Sequence, residues 1–146
     1  MEREGKGPPR PAVLKVDFTG CPVKASLDVL GHKWALLVLR NIGLYGVQRF
    51  NEMLRFTPGL TKRVLAMRLQ ELHRQGFIRA IERGPHYTKW GLTEKGEDAL
   101  PILMTLVRFG SKWYASEVFA DQKSRSLSDV FQGPYIQQVL GRLAAA

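Results

Sequence analysis

The sequence predicts a mainly α-helical chain with a small antiparallel β wing, a winged helix-turn-helix. Three observations predict it. First, Asn51 to Leu54 reads as a short amphipathic turn, Thr57-Pro58-Gly59 as a break, and Thr61 to Gln75 as a basic helix with Leu65, Leu69 and Leu72 on one face. Second, two β-rich runs follow at once, Phe77–Arg83 and Tyr87–Leu92, around a turn at Gly84-Pro85-His86. Third, the formal charge of +9 is concentrated on this stretch. Lys33 to Lys95 holds 12 Lys/Arg against 4 Asp/Glu, whereas the remaining residues hold 10 against 9. A polyanion-binding surface needs that kind of local excess.

At 146 residues with 45% apolar content, the chain is one domain by length and can bury a core. Residues 1–12 are charged and rich in Gly and Pro, and read as a disordered arm. The main domain is expected over residues 13–119, and a C-terminal helical extension over 120–146. Val13 to Phe18 alternates well enough for a short strand or an ordered arm. Pro22 suits the first turn of a helix that continues through Leu30 to Gly31. Lys33 to Asn41 is a second helix, apolar enough through Trp34, Leu36, Leu37, Val38 and Leu39 to lie at the centre of the core.

Val47 to Phe50 is expected to add a short strand beside the hairpin. Thr61 is placed to cap the basic helix, since its hydroxyl can accept from the free N–H groups of the first turn. After the hairpin, Thr93 opens a long helix whose early Glu94, Glu97 and Asp98 suit the positive helix end. That helix is expected to run to about Phe119 and to bend at Pro101. Its apolar residues make more than one stripe: Leu100, Leu103, Val107, Gly110 and Tyr114 share a face, and Ile102, Leu106, Phe109 and Trp113 extend beyond it. So wide an apolar surface points to a second copy, with Leu100, Leu103, Leu106, Val107, Phe109, Gly110, Trp113 and Tyr114 at the interface. Two short helical patterns close the chain, around Leu127–Phe131 and Tyr135–Leu143.

The basic helix supplies the candidate DNA-binding residues. Thr61, Lys62, Arg63, Ala66, Met67 and Gln70 lie opposite its leucines. Lys62 and Arg63 can reach phosphate, or guanine O6 and N7, and Gln70 can pair with adenine. Ala66 or Met67 suits a thymine methyl. Arg83, His86 and Lys89 gather at the wing, and Arg49 precedes the second helix of the motif, where cations meet the DNA backbone.

These residues also carry a family resemblance. Cys21-Pro22-Val23, Leu30-Gly31-His32-Lys33-Trp34, Arg49-Phe50-Asn51-Glu52-Met53, Pro58-Gly59-Leu60-Thr61, Leu69-Gln70-Glu71-Leu72, Gly76-Phe77-Ile78, Leu92-Thr93-Glu94-Lys95-Gly96 and Phe109-Gly110 with Trp113 occur in order. Together, over roughly Cys21 to Tyr114, they resemble the HxlR family of winged-helix transcription regulators. The resemblance implies homodimers that bind double-stranded DNA through the third helix of the fold and the wing, with terminal helices in the dimer contact. It also makes Cys21 a redox candidate, because some members use a cysteine just before this proline as an oxidation sensor. A helix N-terminus lowers a thiol pKa, which helps such chemistry; the other reading of Cys21 is a small apolar side chain packed at the helix start. The chain departs from the family at Thr88-Lys89-Trp90, where a valine-glutamate-tyrosine strand is usual, and in its length beyond Ala120.

Other classes find little support. One cysteine allows no internal disulfide, and His32, His73 and His86 lack paired ligand spacing, so no metal and no cofactor are assigned. There is no nucleophile–base constellation and no phosphate-cradling glycine loop, so the chain is not read as an enzyme. Apolar runs are too short to span a membrane, and Met1 to Pro11 lacks the apolar stretch of a secretory signal, which leaves a cytoplasmic location. The expected function is a sequence-specific DNA-binding regulator, a repressor of a pseudo-palindromic operator. The alternatives are an architectural DNA-binding protein with weak sequence preference and a winged-helix protein-interaction module.

Overall fold

A computed structural model describes residues 14–144. The disordered arm expected over residues 1–12 lies outside them. The element order is α1 (Pro22–Leu30), α2 (Lys33–Gly43), α3 (Phe50–Phe56), α4 (Lys62–Arg74), β1 (Ile78–Arg83), β2 (Thr88–Leu92), α5 (Glu94–Trp113), α6 (Ala115–Val118), α7 (Leu127–Val130) and α8 (Pro134–Ala144). The winged helix-turn-helix architecture predicted from the pattern is therefore the one observed.

The core gathers on α2. Its Ala35, Val38 and Leu39 are nearly inaccessible, and they join Met53, Leu65, Leu72, Ile78, Leu100 and Met104 from the surrounding elements in one cluster. A helix that apolar can be satisfied only by neighbours on most sides, and α4, α5 and β2 all pack against it.

Strands β1 and β2 pair antiparallel from Ile78↔Leu92 to Arg83↔Thr88, with a bulge between Ala80 and Glu82 that leaves Ile81 without a partner. The strand expected over Val47–Phe50 shrinks to one bridge, Arg49↔Lys89, flanked by hydrogen bonds that join the backbone and side chain of Gln48 to the backbone of Trp90. Phe50 already belongs to α3, so no residues remain to extend the pairing. Likewise Leu14 to Phe18 forms no strand, and Leu14, Val16 and Phe18 are exposed.

The long helix ends earlier than expected. It runs through Pro101 but stops at Trp113; Tyr114 leaves helical geometry, and α6 starts again on the buried Ala115. Beyond it, the C-terminal extension returns to the domain instead of trailing away. Val139 of α8 is buried in the core, the Tyr135 hydroxyl donates to the Gly43 carbonyl at 2.7 Å, and Arg142 bridges Glu97 and Asp98 of α5.

Candidate nucleic-acid interface

Helix α4 is built to hold one face still and leave the other open. The Thr61 hydroxyl accepts from the Val64 N–H at 3.2 Å and caps the first turn. At the other end Gly76 adopts φ +81°, its N–H reaching the His73 carbonyl, while the Phe77 N–H reaches Leu72. That pair of bonds needs a left-handed residue, which glycine adopts without a Cβ penalty. Leu65, Leu69 and Leu72 are buried between these caps. Thr61, Lys62, Arg63, Ala66, Met67 and Gln70 are exposed on the opposite side, and among the described residues Lys62 and Arg63 have no carboxylate within ion-pair distance. Arg68, by contrast, is half-buried and paired with Glu71 at 3.2 Å, so it belongs to the helix and not to a ligand.

The wing stands beside this face. A groove of about 690 Å³ separates them, with Ala66, Gln70 and His73 on the α4 side and His86, Tyr87 and Thr88 on the wing. Arg83 and His86 are exposed, and Lys89 is half-buried because its backbone pairs with Arg49. Of the expected residues, Ala66, Gln70 and His86 line this channel, whereas Arg49, Thr61, Lys62, Arg63, Met67, Arg83 and Lys89 lie outside its lining.

Three exposed residues on the same surface were not singled out from sequence. Asn51 lines the channel from α3, and Arg55 lies one helical turn further on. Tyr87 organises the wing tip: its ring lies 4.2 Å from the Arg49 guanidinium carbon, and its hydroxyl donates to Glu82 at 2.9 Å. The hydrogen bond to Glu82, with minor desolvation, pushes the phenol above its ordinary pKa, so Tyr87 stays neutral through the physiological range. A Cβ added at Gly84 would lie 2.1 Å from this ring. A larger residue at position 84 would make the exposed aromatic shift.

The expected dimer residues divide. Leu100 and Leu103 are buried in the core of their own chain, because α2 and not a second copy covers that side of α5. Val107 and Gly110 line a groove between α2 and α5. Leu106, Phe109, Trp113 and Tyr114 remain about half exposed or more, joined by Ile102. Spacings of four, three and four from Ile102 through Leu106 and Phe109 to Trp113 make one stripe on the outer side of α5. Cys21 is exposed at the N-cap of α1, with Pro22 behind it, so it is not the packed side chain that was one of its two readings.

Among the described residues no helix is long and apolar enough to cross a membrane, and no three His, Cys, Asp or Glu side chains converge as a metal site requires.

Comparison with known proteins agrees with this geometry. The model of the HxlR-like helix-turn-helix family matches residues 29–118. The uncharacterized HTH-type transcriptional regulator YdeP of Bacillus subtilis (strain 168) is 35% identical over 99 residues, covering 66% of this chain and 77% of its own. Among solved structures, the redox regulator HypR in its reduced form is 31% identical with a TM-score of 0.55, covering 69% of this chain and 99% of its own. A protein of Thermoplasma volcanium GSS1, described as a possible HxlR family transcriptional factor, is 28% identical with a TM-score of 0.53, covering 62% of this chain and 83% of its own.

Proposed function

We propose, starting from the fact that this chain belongs to the HxlR-like helix-turn-helix family and is a transcriptional regulator, that it acts in the cytoplasm as a homodimeric repressor of a pseudo-palindromic operator. The observation that carries this is the exposed flank of α4 with Lys62 and Arg63, opposite three buried leucines and continuous with Ala66 and Gln70, which border an open channel beside the wing. A helix of that kind enters the major groove with its N-terminal residues on base edges, and a two-fold pair reads two half-sites about one DNA turn apart. Arg63 and Gln70 are assigned to bases, Ala66 and Met67 to thymine methyls, Thr61 and Lys62 to phosphate. Arg49, Arg83, His86 and Lys89 are assigned to backbone beside the wing. The exposed stripe of Leu106, Phe109, Trp113 and Tyr114 is assigned to the second copy.

The test is selection of bound sequences from genomic fragments by the purified protein, followed by affinity measurements on selected and random duplexes at one salt concentration. Specific sites should bind on the order of a thousandfold tighter or more and show two related half-sites. Equal affinity for both duplexes would instead favour an architectural role. Charge reversal at Lys62 and Arg63 that left cellular function intact would favour a protein-interaction module.

A redox-responsive reading has its own support, since HypR is a redox regulator and Cys21 is exposed where a helix begins. With one cysteine per chain, the disulfide open to it joins Cys21 of two protomers. Peroxide would oxidise one thiolate to a sulfenic acid, and the second thiol would displace water from it. Mild peroxide should therefore give a reducible dimer band on a non-reducing gel. A band that stays monomeric removes the switch.

A further inference from the structure

A second concavity lies between α2 and α5, beside the outward stripe, whose Leu106 also lines it. It measures about 780 Å³, within the range of about 300–1,000 Å³ usual for small-molecule sites. Leu36 and Leu37 of α2 with Leu44 at its C-cap form one wall, Leu103, Leu106, Val107 and Gly110 of α5 the other, and Val130 and Phe131 close the end. That last wall comes from the C-terminal extension, outside the family-matched residues 29–118. It is a built element: Arg125 stacks 4.3 Å from Phe119 and grips Asp121 with both terminal nitrogens, its N–H reaches the Ser111 carbonyl, and a Ser126–Asp129 capping box starts α7. A Cβ added at Gly110 would meet nothing within 4 Å, so space remains beside the helix backbone.

The mouth is cationic. Lys33 and Arg40 line it, and among the described residues neither has a carboxylate within ion-pair distance. Arg40 is held in place: its Nε and Nη2 donate to Oδ1 of Asn41, and this fully buried amide donates in turn to the Thr57 hydroxyl at 2.8 Å. A buried asparagine that orients an arginine at the edge of an apolar groove prepares a place for negative charge. The walls on three sides belong to the same chain, which makes a recess for a molecule and not the flat or ridged face that packs another helix.

We propose that this recess binds an amphipathic organic anion, an apolar body with one carboxylate-like head held by Arg40 and Lys33. Because α2 carries these cations and also packs against α4, occupancy is read out at the DNA-binding helix. That regulatory clause rests on the regulator function proposed above; binding itself does not.

The test uses the full-length protein and 8-anilinonaphthalene-1-sulfonate as a fluorescent probe. Saturable binding of one probe per protomer is expected, displaced by dodecanoate at a concentration about tenfold or more below that required of dodecanol, the worth of one charge-assisted hydrogen bond. Arg40→Gln should erase this preference, and Gly110→Phe should abolish probe binding while near-ultraviolet circular dichroism stays native. Unchanged probe affinity in Gly110→Phe, or equal competition by acid and alcohol, overturns the proposal. So does dissociation of the Gly110→Phe dimer, which would show that a second copy fills the recess. A protein that binds the probe with these preferences but binds no duplex DNA would sink the regulator reading and leave the recess standing.

Discussion

The guanidinium of Arg49 lies over the ring of Tyr87, 4.2 Å from its centroid, and ties the start of α3 to the tip of the wing. Both residues are exposed, so the stack contributes only about 0.5–1 kcal/mol. Its importance is directional: it fixes a cation beside the channel that separates the wing and α4.

Tyr87→Ala should therefore weaken operator binding by about two- to fivefold with little loss of thermal stability. Tyr87→Phe keeps the ring and should retain most of the affinity. Fluorescence anisotropy at fixed salt checks both. A larger loss in the phenylalanine variant would show that the hydroxyl bond to Glu82 positions the wing, and not the stack.

Arg63→Ala should cost about 1–3 kcal/mol on the cognate site and much less on random DNA, whereas Lys62→Ala should weaken both alike. Lys62→Ala should also flatten the salt dependence by about one unit of slope. Equal losses on both duplexes for Arg63→Ala would reduce it to a positioning contact.

Gly96→Ala places a Cβ 2.1 Å from the Phe77 carbonyl oxygen, a backbone atom that cannot swing aside. The variant should lose about 1–3 kcal/mol and several degrees of melting temperature. Gly141, inside α8 with nothing within 4 Å of its would-be Cβ, is the contrast. Gly141→Ala should gain up to about 1 kcal/mol. Thermal melts of the pair decide whether close approach, and not helix propensity, governs position 96.

Asp121 sits below the ordinary carboxylate range, chiefly because Arg125 donates to it, with the Lys123 N–H helping. A carboxylate lowered in the folded chain stabilises it above the unfolded pKa, and that contribution fades as pH falls through the folded value. The turn that closes the apolar recess should thus loosen below about pH 4 and be indifferent to pH from 5 to 8. Arg125 side-chain resonances followed against pH should show it, and Asp121→Asn should remove the dependence.

The two faces of α4 were legible because each signal was local. Thr61, Gly76 and the three-leucine stripe announce α4 through capping and period alone, and they place Lys62 and Arg63 outward without any knowledge of the neighbours. Leu100 and Leu103 were misplaced for the converse reason. Nothing in their spacing says whether α2 or another copy covers them, and burial against a distant segment leaves no periodic trace. The end of α5 at Trp113 was hidden in the same way, since Tyr114 breaks the helix so that Ala115 can be buried. The return of α8 depends on Tyr135 finding the Gly43 carbonyl 92 residues away. No local pattern encodes that meeting.

The join between α4 and α5 has a consequence for distance. Thr93 donates from its backbone to Phe77 at 3.0 Å and from its hydroxyl to Gly76, while Lys95 reaches the Gln75 carbonyl at 2.7 Å. These contacts weld the trailing end of one helix to the leading end of the other, leaving no hinge between them. In a two-fold pair joined along α5, the two reading heads would be the jaws of a caliper whose opening is set at the axis. Such an instrument measures base-pair count between half-sites as strictly as it reads the letters within them, and a single inserted base pair would present one jaw about a tenth of a turn out of phase.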